Sequence, residues 1–554
     1  MEIAVQLMRN EKSHILFCAP SDPAADTLVQ RLSGNCKPGE LLRLNRTSRT
    51  FAEVPDTILP FCCVAENGLA GNTFSLPPFR ELMGYKIVVS SVRDTSMLMY
   101  ARVTNNDLYF HEHGLRNALH PRDEDTAPVK LHWTALLVDE AAQGIEPEAM
   151  VPLSIVAPPL GVSNFAIAPI FVMAGDEHQL GPRVALKTSP LKTSLFARLF
   201  ARKVYANHPL ARSKTGKEPP SLSKAMLPIL RPPFANLIRN YRSHPAILAI
   251  PSSLFYADTL EPHATETDRL ANWTGWKGKR WPVLFHNSSG EAEDEHEMDG
   301  GGWYNKFEAE IACGYAASLV KSGLVRENEV CIMSPFKAQV KRLRNAIKTK
   351  RFGELRGVDI GPTEAFQGLE RGVVILCTTR SKERFVKKDQ ELDWGIIGTP
   401  NKMNVAITRA KFGLIVIGKK EILGMDESWT AFMKFCARNA LWDGKAADDP
   451  GRTGEEKRTR LERILMSGEE ENKIERKVKA LKVWGGAQED QMWIDGVAAE
   501  ENDMGPSDDE EEEGEGEEEG DEINQTDHEQ EREHSTDEDE YEYHESLTGL
   551  RGVL

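Results

Sequence analysis

The stretch Leu136-Leu137-Val138-Asp139-Glu140-Ala141-Ala142 decides the fold of this 554-residue chain. With Ala135 before it, the stretch begins as a four-residue apolar run, which is typical of a parallel strand buried on both faces. Ligands of open α/β sheets bind where strands end, and two carboxylates lie there. Such an Asp can hold Mg²⁺ on a nucleoside triphosphate, and the Glu can orient or deprotonate the attacking water. The same pattern also arises by chance at a solvated strand end.

Other apolar runs on either side predict that this strand belongs to one of two sheets. Helix-length segments separate the runs, and that alternation is typical of doubly wound parallel sheets. The fold class is therefore α/β, with two parallel-sheet domains of similar size. The predicted strands are 14–18, 86–92, 135–138 and 171–176 in the first domain, and 283–286, 330–334, 373–378 and 414–418 in the second.

Composition sets the domain boundaries. We predict a first domain at 1–228, a second domain at 229–445, a charged linker with helical spacing at 446–499, and an acidic, disordered tail at 500–554. Between Glu500 and Glu545 there are 25 acidic residues and one Arg, a charge of −24 in a chain whose net charge is −17. The remainder therefore carries about +7, which suits a polyanionic partner. The tail is either a solvated extension or a segment that competes with the polyanionic partner for the basic body.

The cysteines and the hydropathy indicate the compartment. None of the eight cysteines forms a C-x-x-C pair, as expected of reduced intracellular thiols. The start of the chain lacks a signal-peptide pattern, and no apolar run reaches the ~18 residues of a membrane span. We expect a cytoplasmic or nuclear protein, monomeric and without a membrane partner.

Six short motifs lie in a fixed order along the two predicted domains. Each alone could be structural, but the set in this order is specific. The motifs are Ala19-Pro20-Ser21-Asp22, Asp139-Glu140-Ala141-Ala142, Gly175-Asp176-Glu177-His178-Gln179-Leu180, Asn240-Tyr241-Arg242-Ser243-His244-Pro245, Glu364-Ala365-Phe366-Gln367-Gly368-Leu369-Glu370 and Asn404-Val405-Ala406-Ile407-Thr408-Arg409-Ala410-Lys411.

With these motifs the sequence resembles the superfamily-1 helicases, which have two RecA-like domains. The runs Asn240–Tyr256 and Asn404–Gly418 make it most similar to the Armitage branch of RNA helicases, which includes the Moloney leukaemia virus 10 homologue and the plant silencing-defective helicases. The resemblance covers roughly residues 3–440. It implies an ATP-dependent RNA helicase that moves on single-stranded RNA, in RNA silencing or mRNA turnover. A DNA helicase is the alternative within the superfamily.

The resemblance also implies the roles of the residues that bind and hydrolyse ATP. Asp139 would hold Mg²⁺, Glu140 would position the attacking water, and Gln179 would sense the γ-phosphate. Arg242 and Arg409 would reach the γ-phosphate from the second domain, a task suited to the planar, permanently charged guanidinium. The residues assigned to nucleotide binding are Gly175, Asp176, Tyr241, Gly368 and Glu370. Glu370 would bind the ribose, and Tyr241 would stack on adenine or, equally, pack in the core.

The resemblance likewise assigns a strand-binding surface. The predicted contacts are to phosphates, which carry no sequence information. For two neighbouring serines, Ser90 and Ser91, a purely structural role is equally open. The predicted RNA-binding residues are Ala19, Pro20, Ser21, Ser90, Ser91 and Thr363. Protein partners of this branch, Argonaute or mRNA-decay proteins, are weaker expectations, and a lone Trp484-Gly485 is the feature that suggests the first.

The sequence departs from the family pattern in one large respect. No G-x-x-x-x-G-K-[ST] phosphate loop occurs in the 554 residues. We therefore expect that the first RecA-like domain lacks its first strand and phosphate loop, either because the sequence is truncated or because the protein binds RNA as a scaffold without ATPase activity. Smaller departures are Asp22 for the usual Asn, Leu369 for the usual Gln, and Pro362 where a β-former is usual.

Overall fold

The computed structural model describes residues 1–66, 72–121, 128–162, 164–186, 188–215, 233–278, 281–288, 295–297, 302–444 and 458–467. The predicted acidic tail and most of the predicted linker lie outside these residues. Within the linker, residues 460–466 form a helix, as their spacing predicted. None of the helices in the described ranges is long and apolar enough to cross a bilayer.

The first half of the described chain alternates strands with helices. Its strands are β1 (Ile15–Ala19), β2 (Leu41–Arg43), β3 (Val64–Glu66), β4 (Asn72–Phe74), β5 (Ile87–Ser91), β6 (Ala135–Val138) and β7 (Ile170–Met173). Its helices are α1 (Glu2–Met8), α2 (Asp22–Leu32), α3 (Phe79–Leu82), α4 (Ser96–Tyr100), α5 (Asn105–Leu119), α6 (Glu146–Val156), α7 (Leu195–Phe200), α8 (Lys203–Ala206) and α9 (Arg212–Thr215).

Five of these strands form the first sheet, which is parallel throughout and has the order β2–β5–β1–β6–β7. Alternate residues of β1 enter two different apolar clusters: Ile15 and Phe17 pack on one face, Leu16 and Cys18 on the other. Burial on both faces explains why the central strands are continuous apolar runs. β7 ends the sheet, and its Ile170 and Phe171 are 43% and 42% exposed.

The second half has the same alternation. Its strands are β8 (Arg239–Asn240), β9 (Glu261–Pro262), β10 (Val283–Asn287), β11 (Glu295–Glu297), β12 (Trp303–Asn305), β13 (Val330–Met333), β14 (Asp359–Gly361), β15 (Arg371–Cys377), β16 (Ala410–Gly418) and β17 (Trp442–Gly444). Its helices are α10 (Pro245–Phe255), α11 (Lys306–Lys321), α12 (Lys337–Ala346), α13 (Glu383–Glu391), α14 (Pro400–Ile407), α15 (Lys420–Leu423), α16 (Glu427–Arg438) and α17 (Arg460–Met466).

Six of these strands form the second sheet, also parallel, in the order β14–β13–β15–β16–β10–β17. Val374 and Leu376 of β15 face one core cluster, and Val373 and Ile375 face the other. The two parallel sheets confirm the predicted α/β class with two RecA-like domains.

All eight strands predicted from apolar runs are present, with ends that differ by a few residues. Three edge strands, β2, β14 and β17, are absent from the prediction because three residues are too few to establish a period. The Pro-, Lys- and Ser-rich composition of residues 201–233 predicts a linker, but part of this segment forms the short helices α8 and α9.

Candidate active site

The acidic side of the site lies at the carboxyl end of β6. The Asp139 amide donates to the carbonyl of Cys18 in β1 at 2.8 Å, which continues the strand pairing up to the first carboxylate. Glu140 then takes a left-handed conformation, with φ of +50°. Outside glycine this region is sparsely populated, and residues in it cluster at functional sites. Both side chains are half-buried.

Glu140 is in a state suited to accepting a proton. Burial raises its pKa, the Gln143 side chain opposes the rise by donating to Oε2 at 2.8 Å, and the charge of Asp139 adds to the rise. A carboxylate with a raised pKa is a stronger base than a solvated one. Asp139 offers the oxygen donor that Mg²⁺ prefers, and Mg²⁺ commonly binds through one carboxylate with phosphates and waters. The described residues contain no cluster of three or more His, Cys, Asp or Glu suited to a metal ion. As a half-buried carboxylate at a strand end, Asp139 has the chemistry to be the protein ligand of a Mg²⁺ ion bound to a nucleotide.

The loop after β7 lies directly against the loop after β6. A Cβ on Gly175 would be 2.9 Å from the Ala142 amide nitrogen, so only glycine permits this approach. The Ala141 amide donates to the Ala174 carbonyl at 2.8 Å. Gly175 was predicted to bind nucleotide, and in the structure its visible role is to bring the two loops together.

Asp176 orients the predicted γ-phosphate sensor. Its Oδ2 accepts a hydrogen bond from the Gln179 side-chain nitrogen at 2.8 Å, and its Oδ1 accepts from the His178 amide at 3.0 Å. The side-chain oxygen of Gln179 is consequently presented toward the second half. Direct nucleotide binding by Asp176 stays a prediction.

Arg409 meets that oxygen. Its Nη2 donates to Gln179 Oε1 at 3.1 Å, and its Nε donates to the carbonyl of Val405 at 3.1 Å. Arg409 is 2% exposed, and burial lowers the pKa of its guanidinium to about 10, with the nearby Arg242 also lowering it. At neutral pH Arg409 is therefore still charged. Two residues assigned to γ-phosphate chemistry, 230 positions apart, are in contact.

Arg242 lies beside Arg409 but is engaged differently. Its Nε donates to Glu370 at 2.9 Å, and Lys411 contacts the other oxygen of Glu370 at 2.5 Å. Burial opposes ionisation of Glu370, but the hydrogen bonds from Lys411 and Arg242 outweigh burial and lower its pKa. Glu370, predicted to bind ribose, is thus paired with two cations.

Two further residues predicted to bind nucleotide border this group. Tyr241 is 69% exposed with its ring centroid 5.6 Å from that of His263, so its packing in the core is ruled out. Gly368 has φ of +74°, which favours glycine, and a Cβ there would meet nothing within 4 Å. Stacking by Tyr241 and backbone contact by Gly368 stay predictions.

Sequence reasoning missed a buried hydrogen-bond network that joins the two halves. The Tyr256 hydroxyl donates to Asp176 Oδ2 at 2.6 Å and accepts from the Asn404 side chain at 2.7 Å. Asn404 also donates to the His178 carbonyl at 2.9 Å, and Asn401 donates to the Gln179 carbonyl at 2.5 Å. Burial raises the pKa of Tyr256, which keeps the hydroxyl protonated. A buried tyrosine hydroxyl needs a partner, but the sequence around Tyr256 does not identify Asp176 or Asn404 as that partner.

The six residues predicted to bind RNA differ in accessibility. Ser21 is exposed and Pro20 half-buried, whereas Ala19, Ser90, Ser91 and Thr363 are buried. Among the residues that the structure describes, the hydroxyls of Ser90 and Thr363 have no hydrogen-bond partner, while Ser91 Oγ accepts from the Asp94 amide at 3.2 Å. Their contacts with RNA stay predictions. Nearby Asp22, in place of the family's Asn, pairs with Arg43 at 3.0 Å and Arg46 at 2.5 Å.

Comparisons with known proteins find helicases among the relatives of this chain. A family model described as an AAA domain matches residues 221–421. The chain is 28% identical over 449 residues to the putative helicase MOV-10 of Gallus gallus, covering 78% of this chain and 42% of the relative. It is 29% identical over 442 residues to the RNA helicase Mov10l1 of Homo sapiens, covering 78% and 31%. It is 26% identical over 463 residues to the ATP-dependent helicase upf1 of Schizosaccharomyces pombe, covering 78% and 42%. The chain spans less than half the length of these relatives.

Proposed function

We propose, from the premise that this chain is a relative of the Mov10-type helicases of superfamily 1, that it carries the motor of an ATP-dependent helicase that moves along single-stranded RNA. The observation that carries the proposal is the contact between Gln179 and Arg409, at 3.1 Å, with the Asp139-Glu140 pair on the same edge of the first sheet. A sensor and a cation from different halves meet where a γ-phosphate would be cleaved.

The residues present divide the work of hydrolysis. Mg²⁺ bound to ATP neutralises phosphate charge, and Asp139 would hold it. Glu140, with its raised pKa, would orient the attacking water and accept its proton. Arg409 and Arg242 would stabilise the charge that develops on the γ-phosphate, and Gln179 would couple that charge to the loop after β7. The side chains of Glu140, Gln179, Arg242 and Arg409 each have a hydrogen-bond partner that fixes them before substrate binds, which favours electrostatic catalysis.

RNA is the proposed polymer because the relatives are Mov10-type proteins, one of which is named an RNA helicase. Predicted contacts to phosphate and sugar do not by themselves separate RNA from DNA. By the same resemblance we propose movement from 5′ to 3′, a cytoplasmic location, a role in RNA silencing or mRNA turnover, and Argonaute or mRNA-decay proteins as partners.

A second candidate is an RNA-binding scaffold without ATPase activity. The observation that favours it is the lack of a G-x-x-x-x-G-K-[ST] stretch in the printed sequence, since that loop's amides and Lys normally hold the β- and γ-phosphates. Both candidates predict RNA binding, and ATP turnover alone separates them.

The experiment therefore measures both properties. ATP turnover with and without a single-stranded RNA 20-mer, and RNA affinity by fluorescence anisotropy, are compared for the 554-residue chain and for the same chain extended by the reading frame upstream of Met1. RNA-stimulated turnover in either form supports the motor. In the active form, Glu140→Gln abolishes turnover but preserves RNA and ATP binding, because Gln keeps the shape and loses the base. Binding without turnover in both forms supports the scaffold, and the lack of RNA binding in both would overturn both candidates.

A further inference from the structure

Aromatic rings and guanidinium groups alternate at the carboxyl ends of β13 and β15. Arg380 lies over Phe336, with Cζ 4.0 Å from the ring centroid, and over Phe385 at 4.9 Å. Arg384 lies over Phe385 at 4.7 Å and over Trp303 at 5.8 Å. The rings of Trp303 and Phe385 are 4.9 Å apart. These five residues form one continuous set, which we call the aromatic–arginine ladder.

The inner end of the ladder is rigidly held. Arg380 is 6% exposed and pairs with both oxygens of Asp389 in α13, at 2.5 and 2.9 Å. Phe336 packs so closely on the backbone of Gly395 that a Cβ there would be 3.1 Å from the ring. A bidentate buried pair fixes both position and orientation. Arg380 therefore has a structural role that accounts for it fully.

The outer end of the ladder has no such role in the fold. Arg384 is exposed, and the Trp303 and Phe385 rings beneath it are half-buried. Lys387 and Lys388 follow on α13 and are also exposed. Guanidinium and ring together therefore present a flat, positively charged surface to solvent. Such surfaces bind unstacked bases through their faces and phosphates through their charge.

The backbone that leads into the ladder is strained. Thr379 has φ of +72°, an outlier for a β-branched residue, and is buried. Its amide donates to Glu308 at 2.7 Å, and its hydroxyl is 3.0 Å from that of Ser334. These bonds hold the conformation that directs Arg380 and α13. Backbone strain of this kind is concentrated at functional sites.

The position of the ladder agrees with the predicted path of the strand. The Ser334 amide donates to the Gly361 carbonyl at 3.2 Å, so the turn before Phe336 lies beside the segment that leads to Thr363. Thr363 is predicted to face single-stranded RNA. The ladder therefore begins next to a predicted contact with the strand and extends outward from it.

We propose that the outer ladder, Trp303, Phe385 and Arg384, is a stacking platform for bases of a single nucleic acid strand, in addition to the contacts assigned from the motifs. The proposal rests on the proposed function, because it requires that the chain bind single-stranded RNA. Stacking on such rings is tolerant of sequence, since every base has a π-face.

The test uses the 554-residue chain and a fluorescein-labelled 15-mer of oligouridine, with affinity measured by anisotropy over a range of salt concentrations. Trp303→Ala should raise Kd about tenfold with little change in the salt dependence, because it removes stacking but no charge. Arg384→Ala should raise Kd and also flatten the salt dependence. Trp303→Phe should recover most of the affinity. The matched control is Tyr100→Ala, an aromatic residue of the first half that is 86% exposed.

A second RNA separates base stacking from other causes. With an abasic 15-mer of the same length, Trp303→Ala should have no effect, because there is no base to stack. An equal loss of affinity for both RNAs would overturn the platform and indicate a general distortion. Unchanged binding of oligouridine by both alanine variants would also overturn it and leave the patch to a protein partner. If the unsubstituted chain binds no RNA, both the platform and the proposed function fail. If the unsubstituted chain binds RNA and the alanine variants bind it equally well, only the platform fails.

Discussion

The two halves of the described chain bring opposite charges to their mutual contact, and they do so from opposite ends of their sheets. The first half contributes Glu140 and Asp176, which follow β6 and β7 at the carboxyl ends of strands. The second half contributes Arg409, which immediately precedes β16, and Arg242, which precedes α10. Neither half alone contains both Glu140, the predicted base, and the arginines that are predicted to reach the γ-phosphate. Hydrolysis at this site should consequently depend on contact between the halves, and each prediction below compares a residue of one half with a residue of the other.

The largest expected effect is at Arg409. In the ATP-hydrolysing form, Arg409→Ala should lower RNA-stimulated turnover by about 10³-fold or more, the range seen for arginine fingers. Arg409→Lys should fail similarly, because one ammonium cannot reproduce contacts made by separate nitrogens to Gln179 and Val405. Turnover is measured at saturating RNA.

The matched control for Arg409 is Arg93→Ala in the first half. Arg93 is also paired, with Glu148 at 3.2 Å, but its side chain is 81% exposed. Its replacement should leave turnover unchanged. Equal turnover by Arg409→Ala and the unsubstituted protein would remove Arg409 from the chemistry.

The sequence predicts the acidic residues of the first half better than the contacts between the two halves. Asp139 and Asp176 could be found because an apolar run ending in a carboxylate is a local pattern. The Arg409–Gln179 contact joins positions 230 apart and followed only from the resemblance. The bond between Tyr256 and Asn404, 148 positions apart, has no local signal, because tertiary packing alone brings the two side chains together.

The next effect concerns a buried histidine in each half. Burial lowers the pKa of His14 to about 4 and that of His244 to about 4. The His14 ring stacks on Trp133 at 3.9 Å, and His244 caps α10 by accepting from the Ala246 amide. Between pH 6.5 and 4 each of these histidines binds a proton in the unfolded chain but not in the folded protein. The free energy of unfolding must therefore fall as the pH falls.

The expected loss is about 1 kcal/mol per pH unit for each histidine in that window. His14→Phe, which keeps the stack on Trp133, should reduce the pH dependence of unfolding between pH 7.5 and 5. His111→Phe, at an exposed position in the first half, is the control and should leave the dependence as it was. Chemical unfolding at the two pH values measures the difference, and an unaltered slope for His14→Phe would refute the assignment.

The network between the halves should give a smaller effect. Tyr256→Phe removes the hydroxyl that joins Asp176 to Asn404 and should destabilise the protein by about 1–2 kcal/mol, since it leaves buried polar groups short of a partner. Tyr85→Phe is the matched control, because the Tyr85 hydroxyl bonds to Glu81 at 2.9 Å in an exposed setting within one half. Equal losses in the two variants, measured by thermal unfolding, would mean that the bond between the halves contributes nothing particular to stability.

The smallest expected effect on stability concerns Ser90 in the first half and Thr363 in the second. Both hydroxyls are buried and have no hydrogen-bond partner in the described part of the chain. Ser90→Ala and Thr363→Val should therefore change the free energy of unfolding by less than about 1 kcal/mol, and toward greater stability. Ser91→Ala, which removes the acceptor of the Asp94 amide, should destabilise the protein by about 1 kcal/mol and serves as the contrast.

If the hydroxyls of Ser90 and Thr363 bind RNA, both variants should bind single-stranded RNA severalfold more weakly despite their unimpaired stability. Gain in stability together with loss of RNA affinity would assign these hydroxyls to the strand, because a structural role moves the two quantities in the same direction. Unchanged RNA affinity in both variants would mean that the Ser90 and Thr363 hydroxyls do not contact RNA.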